Sequence, residues 1–331
     1  MFSKSSAMLT YVLFVAGFVL LIYGANWLVD GAASIARKHN ISNVVIGLTI
    51  VALGTSSPEL VVNLVASFKG TADVAMGNIL GSNISNILLI LGISAIIYPL
   101  AVNNNTQWKE VPLALLAAVV IGVLANDTIF DGISTSMVYR SDGIVLIAFF
   151  ILFMYYAFGI AYQKDVVVYK VKELPFWLSV LMIAGGCIAL VAGGRWIVNG
   201  ATVLALNLGM SEAVISLTIV AVGTSLPELA TCVVAAYKRN PGMVIGNIIG
   251  SNIFNIFFVL GISATIKPLP FNLVLNFDIL VGIGAALLLF LFLRVSRKKI
   301  LERWQGWVFF LLYLLYITVL VWKEKATAGG F

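Results

Sequence analysis

The sequence predicts an all-α polytopic membrane protein of ten transmembrane helices, arranged as two inverted five-helix repeats. Three observations predict it: a composition that only lipid surroundings tolerate, ten apolar stretches of spanning length, and an internal repeat at one fixed offset.

Hydrophobic residues make up 61% of the 331 and charged residues only 10%, with a mean hydropathy of +1.06. A soluble domain carries about 25% charged residues, so most of this chain faces hydrocarbon. A spanning helix needs roughly 20 apolar residues. Such stretches fall at 10–30, 43–68, 72–99, 110–126, 142–162, 175–204, 212–236, 242–266, 273–294 and 304–322. The first is too long and too poorly flanked for a cleavable signal peptide.

The net charge of +6 resides in the connecting loops and reads as topology rather than as a nucleic-acid surface. With the amino terminus outside, the inside loops hold thirteen Lys and Arg against six in the outside segments. The positive-inside rule then places both termini outside a cell inner (plasma) membrane. Arg195 is left near the outer end of the sixth span, where it can snorkel. Cys187 and Cys232 lie in apolar spans and read as packing residues. His39 is the only histidine and sits in a loop, which argues against a zinc site or a histidine-based triad.

The segment 47–97 aligns without a gap onto 216–266, at an offset of 169, with 29 identities in 51 positions. Gly54-Thr55-Ser56 recurs as Gly223-Thr224-Ser225, Pro58-Glu59 as Pro227-Glu228, and Gly81-Ser82-Asn83 as Gly250-Ser251-Asn252. Five spans separate each element from its copy. Five is odd, so the copies thread the bilayer in opposite directions, as in inverted-repeat transporters. The first repeat is 1–162, a short cytoplasmic linker is 163–174, and the second repeat is 175–331.

Glu59 and Glu228 fall inside apolar spans, where an unpaired carboxylate costs roughly 2.5–3.5 kcal/mol or more. No Lys or Arg lies near them in sequence, so a bound cation is the simplest counter-charge. Thr55, Ser56 and Glu59 share a helix face. Pro58 opens the helix there and frees carbonyls such as that of Ala52. Ser82 and Asn86, four apart, add oxygens from the next span. Ala221, Thr224, Ser225, Glu228, Ser251 and Asn255 repeat the set. An all-oxygen site selects Na⁺, Ca²⁺ or similar hard ions. A protonated structural glutamate is the bland alternative, and its repetition within Gly-Thr-Ser-x-Pro-Glu argues against it. Gly77, Gly81, Gly246 and Gly250 read as close-packing seams. Asn83 and Asn252 fall off the Ser82–Asn86 face and read as packing or capping residues. Asp30, Asn199 and Asp278 read as solvated at the interface.

These paired motifs resemble the two alpha repeats of the cation/calcium exchanger superfamily, in its prokaryotic sodium/calcium exchanger branch, over essentially the whole chain. The resemblance implies Glu59 and Glu228 as calcium carboxylates, joined by Thr55 and Thr224. It implies the same glutamates with Ser56, Ser82, Asn86, Ser225, Ser251, Asn255 and the Ala52 and Ala221 carbonyls as the sodium set. It implies sodium/calcium antiport by alternating access, with the first and sixth spans sliding past a static core. No enzymatic activity, cofactor, nucleic acid or obligatory protein partner is expected. The ions and the lipid bilayer are the partners, and a monomer suffices. Potassium-dependent relatives typically carry Asp where Asn255 stands, and proton-coupled ones typically show Gly-Asn-x-x-Glu instead of Thr-Ser-x-Pro-Glu. Calcium/proton antiport, potassium-dependent exchange and a cation channel remain the alternatives.

Overall fold

The computed structural model describes residues 4–161, 173–207, 221–296 and 299–328. They form an all-helical membrane protein. Eight helices are long and apolar enough to cross a bilayer, or nine when one bent pair counts as a span. The seventh predicted span, 212–236, lies partly outside the described residues. Its described part is α8 (Ala221–Thr224) and α9 (Leu226–Tyr237).

Helix α1 runs Lys4–Lys38, well past its predicted end at residue 30. Ala32, Ala33 and Ala36 continue it as good helix formers, and all three are buried. Arg37 and Lys38 close it with positive charge at the negative end of the helix dipole. Asp30, expected to be solvated, instead accepts an ion pair from Lys238 at 2.7 Å.

Helices α2 (Asn43–Thr55) and α3 (Ser57–Lys69) meet at a 48° bend. The break falls at Ser56 because Pro58, in the first turn of α3, has no N–H to continue the ladder. Helix α3 stops at Gly70, whose φ of +79° supplies the left-handed turn. Helix α4 (Ala72–Ile97) is followed by α5 (Thr106–Leu124) and α6 (Arg140–Gly159). Helix α5 begins four residues before its predicted start at 110, because the Asn103 side chain accepts from the Thr106 N–H at 2.7 Å and caps it. Helices α7 (Phe176–Asn207), α10 (Pro241–Ile266), α11 (Leu273–Val295) and α12 (Arg303–Ala328) complete the set.

The repeat is visible in the elements. Helix α4 carries a π-helical stretch at Ser85–Leu91, and α10 carries one at Phe254–Leu260, at the same offset of 169. Helices α4 and α10 occupy the centre, and every residue of α10 from Met243 to Phe257 is buried. The peripheral helices expose apolar faces such as Val12, Val15, Val19 and Ile22 of α1, which suit lipid.

Glycine seams set the packing. Along α1, Gly17, Gly24 and Gly31 recur every seventh residue. A Cβ at each would meet the backbone carbonyls of Gly193, Gly186 and Ser179 of α7 at 2.9, 3.0 and 2.7 Å. Across α2 and α10, a Cβ on Gly246 would stand 2.3 Å from the Val44 carbonyl oxygen, and one on Gly250 would stand 2.6 Å from that of Leu48. The seam expected at Gly77 and Gly81 is not closed by any described atom within 4 Å. Two short antiparallel ladders tie the loops: β1 (Leu100–Ala101) with β4 (Ile300–Leu301), and β2 (Met137–Val138) with β3 (Leu269–Pro270).

Gly246→Ala should be poorly tolerated, because the obstacle is backbone and cannot rotate away. A loss of at least ~1–3 kcal/mol is expected, read as a lowered melting temperature in detergent. Gly284→Ala, which meets nothing within 4 Å, should leave that temperature unchanged.

Candidate cation-binding site

The bend between α2 and α3, the start of α9, and the middle of α4 and α10 converge on one buried polar cluster. Glu59 and Glu228 are 0% and 1% exposed and close enough to repel one another. Helix geometry brings them inward: each lies in the first turn of its helix, behind a proline and a serine. That places both carboxylates near the positive end of a helix dipole.

The hydroxyls cross between the halves. Ser56 Oγ donates to Glu228 Oε1 at 2.9 Å. On the other side, Ser225 Oγ donates to Ser82 Oγ and Ser82 Oγ to Glu59 Oε1, both at 3.4 Å. The Thr55 hydroxyl lies 3.1 Å from Asn247 Oδ1, and the Thr224 hydroxyl lies 3.4 Å from Asn78 Oδ1. Asn78 and Asn247 are therefore site neighbours that sequence reading passed over. Their repetition after Gly77 and Gly246 was the available signal.

The asparagines within and just before the π stretches are cross-braced. Asn83 Nδ2 donates to the Asn252 carbonyl at 3.2 Å, and Asn252 Nδ2 donates to the Asn83 carbonyl at 3.3 Å. Asn86 Nδ2 donates to Asn252 Oδ1 at 2.9 Å, and Asn255 Nδ2 to Asn83 Oδ1 at 3.1 Å. Asn83 and Asn252 thus brace the seam between α4 and α10 and fix the amides of Asn86 and Asn255.

Most of what remains unpaired in this cluster is oxygen, Asn78 Nδ2 being the exception. Glu59 Oε2, Glu228 Oε2, Asn86 Oδ1, Asn255 Oδ1 and Ser251 Oγ are buried with no hydrogen-bond partner. Each such group costs roughly 1–3 kcal/mol when left so, and native proteins hold few of them. Two carboxylate oxygens, two amide oxygens and a hydroxyl match the donor set of a hard cation.

Ala52 departs from expectation. Its carbonyl accepts from the Ser56 N–H at 2.9 Å and lies 3.3 Å from the Thr55 hydroxyl, so Pro58 does not free it. The donor that proline removes is the one that would reach the Gly54 carbonyl, four residues back. Ala221 opens α8. Arg195 lies in the interior of α7, where it lines a cavity of about 130 Å³ with Pro58, Thr224 and Pro227.

Two further carboxylates stand outside this cluster. Glu110 of α5, fully buried, accepts from the Tyr156 hydroxyl at 2.5 Å. Asp278 of α11, expected to be solvated, is half-buried and accepts from the Tyr316 hydroxyl at 2.8 Å. Glu110 went unremarked because it sits beside Lys109 at a span boundary.

Residues 9–159 and 178–322 match the family described as sodium/calcium exchanger protein. The chain belongs to that family. It is 30% identical over 347 residues to the sodium/calcium exchanger MaX1 of Methanosarcina acetivorans, covering 94% of this chain and 98% of the relative. It is 38% identical over 276 residues to the inner membrane protein YrbG of Escherichia coli, covering 79% and 81%. A solved structure of the sodium-calcium exchanger NCX_Mj aligns with a TM-score of 0.82 at 36% identity, covering 94% of this chain and 99% of that one. Similarity to this exchanger family therefore extends over nearly the whole fold, including the braced π stretches.

The brace can be tested apart from the ligands. Asn83→Ala removes the acceptor that orients Asn255, and loss of a group that orients a ligand typically costs ~10–100-fold in metal affinity. Calorimetric titration with Ca²⁺ should show a loss in that range, with Asn252→Ala giving a comparable one.

Proposed function

We propose that the protein is a secondary active antiporter that exchanges Na⁺ for Ca²⁺ across the membrane by alternating access. The observation that carries this is the facing pair Glu59 and Glu228, each with one carboxylate oxygen unpaired inside a buried oxygen-rich cluster. Two carboxylates that repel one another are neutralised by one divalent cation or by monovalent cations in its place. Competition for the same oxygens is then the physical basis of coupling. The Ca²⁺ set is Glu59 and Glu228 with Thr55 and Thr224. The Na⁺ set draws on both glutamates and on Ser56, Ser82, Asn86, Ser225, Ser251 and Asn255, with the Ala221 carbonyl. The names of MaX1 and NCX_Mj, both sodium/calcium exchangers, support the reading. A channel would need an open aqueous path instead of a closed, dehydrated cluster.

The architecture proposed is ten spans in two inverted five-span repeats, 1–162 and 175–331, joined by 163–174. Loop partners support this threading. It puts the loops of β1 and β4 on one side of the membrane and those of β2 and β3 on the other, and the ladders join them in those pairs. Arg37 bonds Glu173, Asn240 bonds Asn43, and Lys299 bonds Asn104, all on the side of the first pair. The loop charges make that side cytoplasmic, with both termini outside. The name of the inner membrane protein YrbG supports an inner-membrane location. The glycine seam between α1 and α7 is closely packed, with Phe14 of α1 seated over Gly200 of α7, which suits a pair that slides as a unit. The unit proposed is a monomer.

Ca²⁺ uptake into proteoliposomes should require an opposing Na⁺ gradient. Uptake driven equally by a pH gradient without Na⁺ would move the protein to proton coupling. Glu59→Gln and Glu228→Gln keep size but remove charge, and each should weaken Ca²⁺ binding by ~100-fold or more, because the remaining charge is left uncompensated. Near-wild-type exchange in either variant would remove that residue from the ligand set.

Asn255 generates a separate expectation. With a neutral amide at this position, K⁺ added at constant membrane potential should leave the exchange rate unchanged. A saturable K⁺ requirement would refute the sodium-only reading.

A further inference from the structure

Beyond the paired glutamates, α3 carries a column of polar side chains that the cluster does not use. Asn63 and Ser67 follow Glu59 at intervals of four, so the three lie along one helix face. All three are 0% exposed. Neither atom of the Asn63 amide has a hydrogen-bond partner, nor does the Ser67 hydroxyl, nor Glu59 Oε2. A lone buried serine can turn its hydroxyl to the carbonyl four residues back, as Ser263 does to Val259 at 2.8 Å. Ser67 does not, and an asparagine with both ends unmet has no such local escape.

The second half does not repeat this column. At the offset of 169, Cys232 stands for Asn63 and Ala236 for Ser67. Cys232 is satisfied: it accepts from Asn247 Nδ2 at 3.2 Å and donates to the Val244 carbonyl at 4.0 Å. The column is therefore a property of the first half alone and is not inherited from the duplication. It runs from Glu59 toward the end of α3 at Lys69 and Gly70. There Lys69, Asp73 and Lys267 are exposed, with a net charge of +1 among them.

We infer that Asn63 and Ser67, one helical turn apart, form a further Na⁺ position, a staging site between the paired glutamates and the Lys69–Gly70 end of α3. The donor chemistry selects the ion. An amide oxygen and a hydroxyl carry no negative charge, so the position has none of its own. That suits a partly hydrated monovalent cation, whereas Ca²⁺ takes six to eight oxygens with more carboxylate among them. The inference extends the proposed antiport, yet Na⁺ binding here can be tested without transport.

The experiment is equilibrium binding of radioactive Na⁺ and of Ca²⁺ to the purified protein, for wild type, Asn63→Ala, Ser67→Ala and the double variant. The double variant should bind one Na⁺ fewer, or bind its weakest Na⁺ at least tenfold less tightly, with Ca²⁺ affinity within twofold of wild type. Melting temperatures in Na⁺-free choline buffer should equal or exceed wild type, since unmet buried polar groups have been removed, while the rise produced by Na⁺ should shrink. Should Asn63→Ala fail to fold, Asn63→Ser keeps an oxygen and should retain part of the Na⁺ response. Unchanged Na⁺ stoichiometry and affinity would overturn the inference, as would equal losses for Na⁺ and Ca²⁺. Loss of Na⁺-driven Ca²⁺ uptake in wild type would defeat the antiport reading and leave the binding result standing.

Discussion

Two carboxylates held together in an apolar interior are the constraint on which the rest of this structure depends. Glu59 and Glu228 repel one another and have left water, so each feature around them either supplies compensation or fixes geometry. The prolines at 58 and 227 place each glutamate in a first helical turn, where unpaired N–H groups create positive potential. The hydroxyls of Ser56 and Ser82 use one oxygen of each carboxylate and leave the other for a ligand. A bound cation, as proposed, would complete the arrangement electrostatically.

Rigidity comes from how closely the two central helices approach. Gly246 and Gly250 let α10 sit against α2, with carbonyls where a Cβ would go. The four hydrogen bonds among Asn83, Asn86, Asn252 and Asn255 then lock α4 to α10. The π stretches provide the register for this. A π turn inserts an extra residue into the helix, which re-aims the side chains around it, and such turns recur at functional sites. The bracing is symmetric about the repeat, but the hydroxyl contacts are not. Ser56 reaches Glu228 directly at 2.9 Å, whereas Ser225 reaches Glu59 only through Ser82. One chain thus holds the two halves of its site in different arrangements.

The sequence made the spans, the duplication and the two glutamates legible, because each leaves a one-dimensional trace: apolar length, register, and charge where charge is costly. Partners brought together from distant segments left a weaker trace. Asn83 and Asn252 read as packing residues, which their bonds across the α4–α10 seam bear out, but nothing in the sequence names the partner helix. The Ala52 carbonyl looked free because proline removes a donor, yet the carbonyl that loses it is that of Gly54, two residues further along. Asp278 looked like an interfacial residue, since nothing in sequence points to Tyr316. Arg195 was assigned to a span end, but α7 runs Phe176–Asn207 and leaves it in the interior. Each miss concerns direction within an element or a contact between elements, not the existence of the element.

The contrast between the two glycine seams bears on how such a rigid centre could serve transport. Helix α10 is held against α2 by shape and against α4 by the hydrogen-bonded brace, so it is fixed on two sides. The α1–α7 seam has glycines every seventh residue and backbone-to-backbone approach. Between those helices, small residues and van der Waals packing provide the adhesion, and Phe14 seated over Gly200 keeps the two in register, so they suit movement together. Those two helices also expose much of their surface to lipid, where apolar side chains meet the same surroundings before and after a shift. Mobility is therefore least hindered where the fold is lipid-facing, and most hindered where the carboxylates must stay in place.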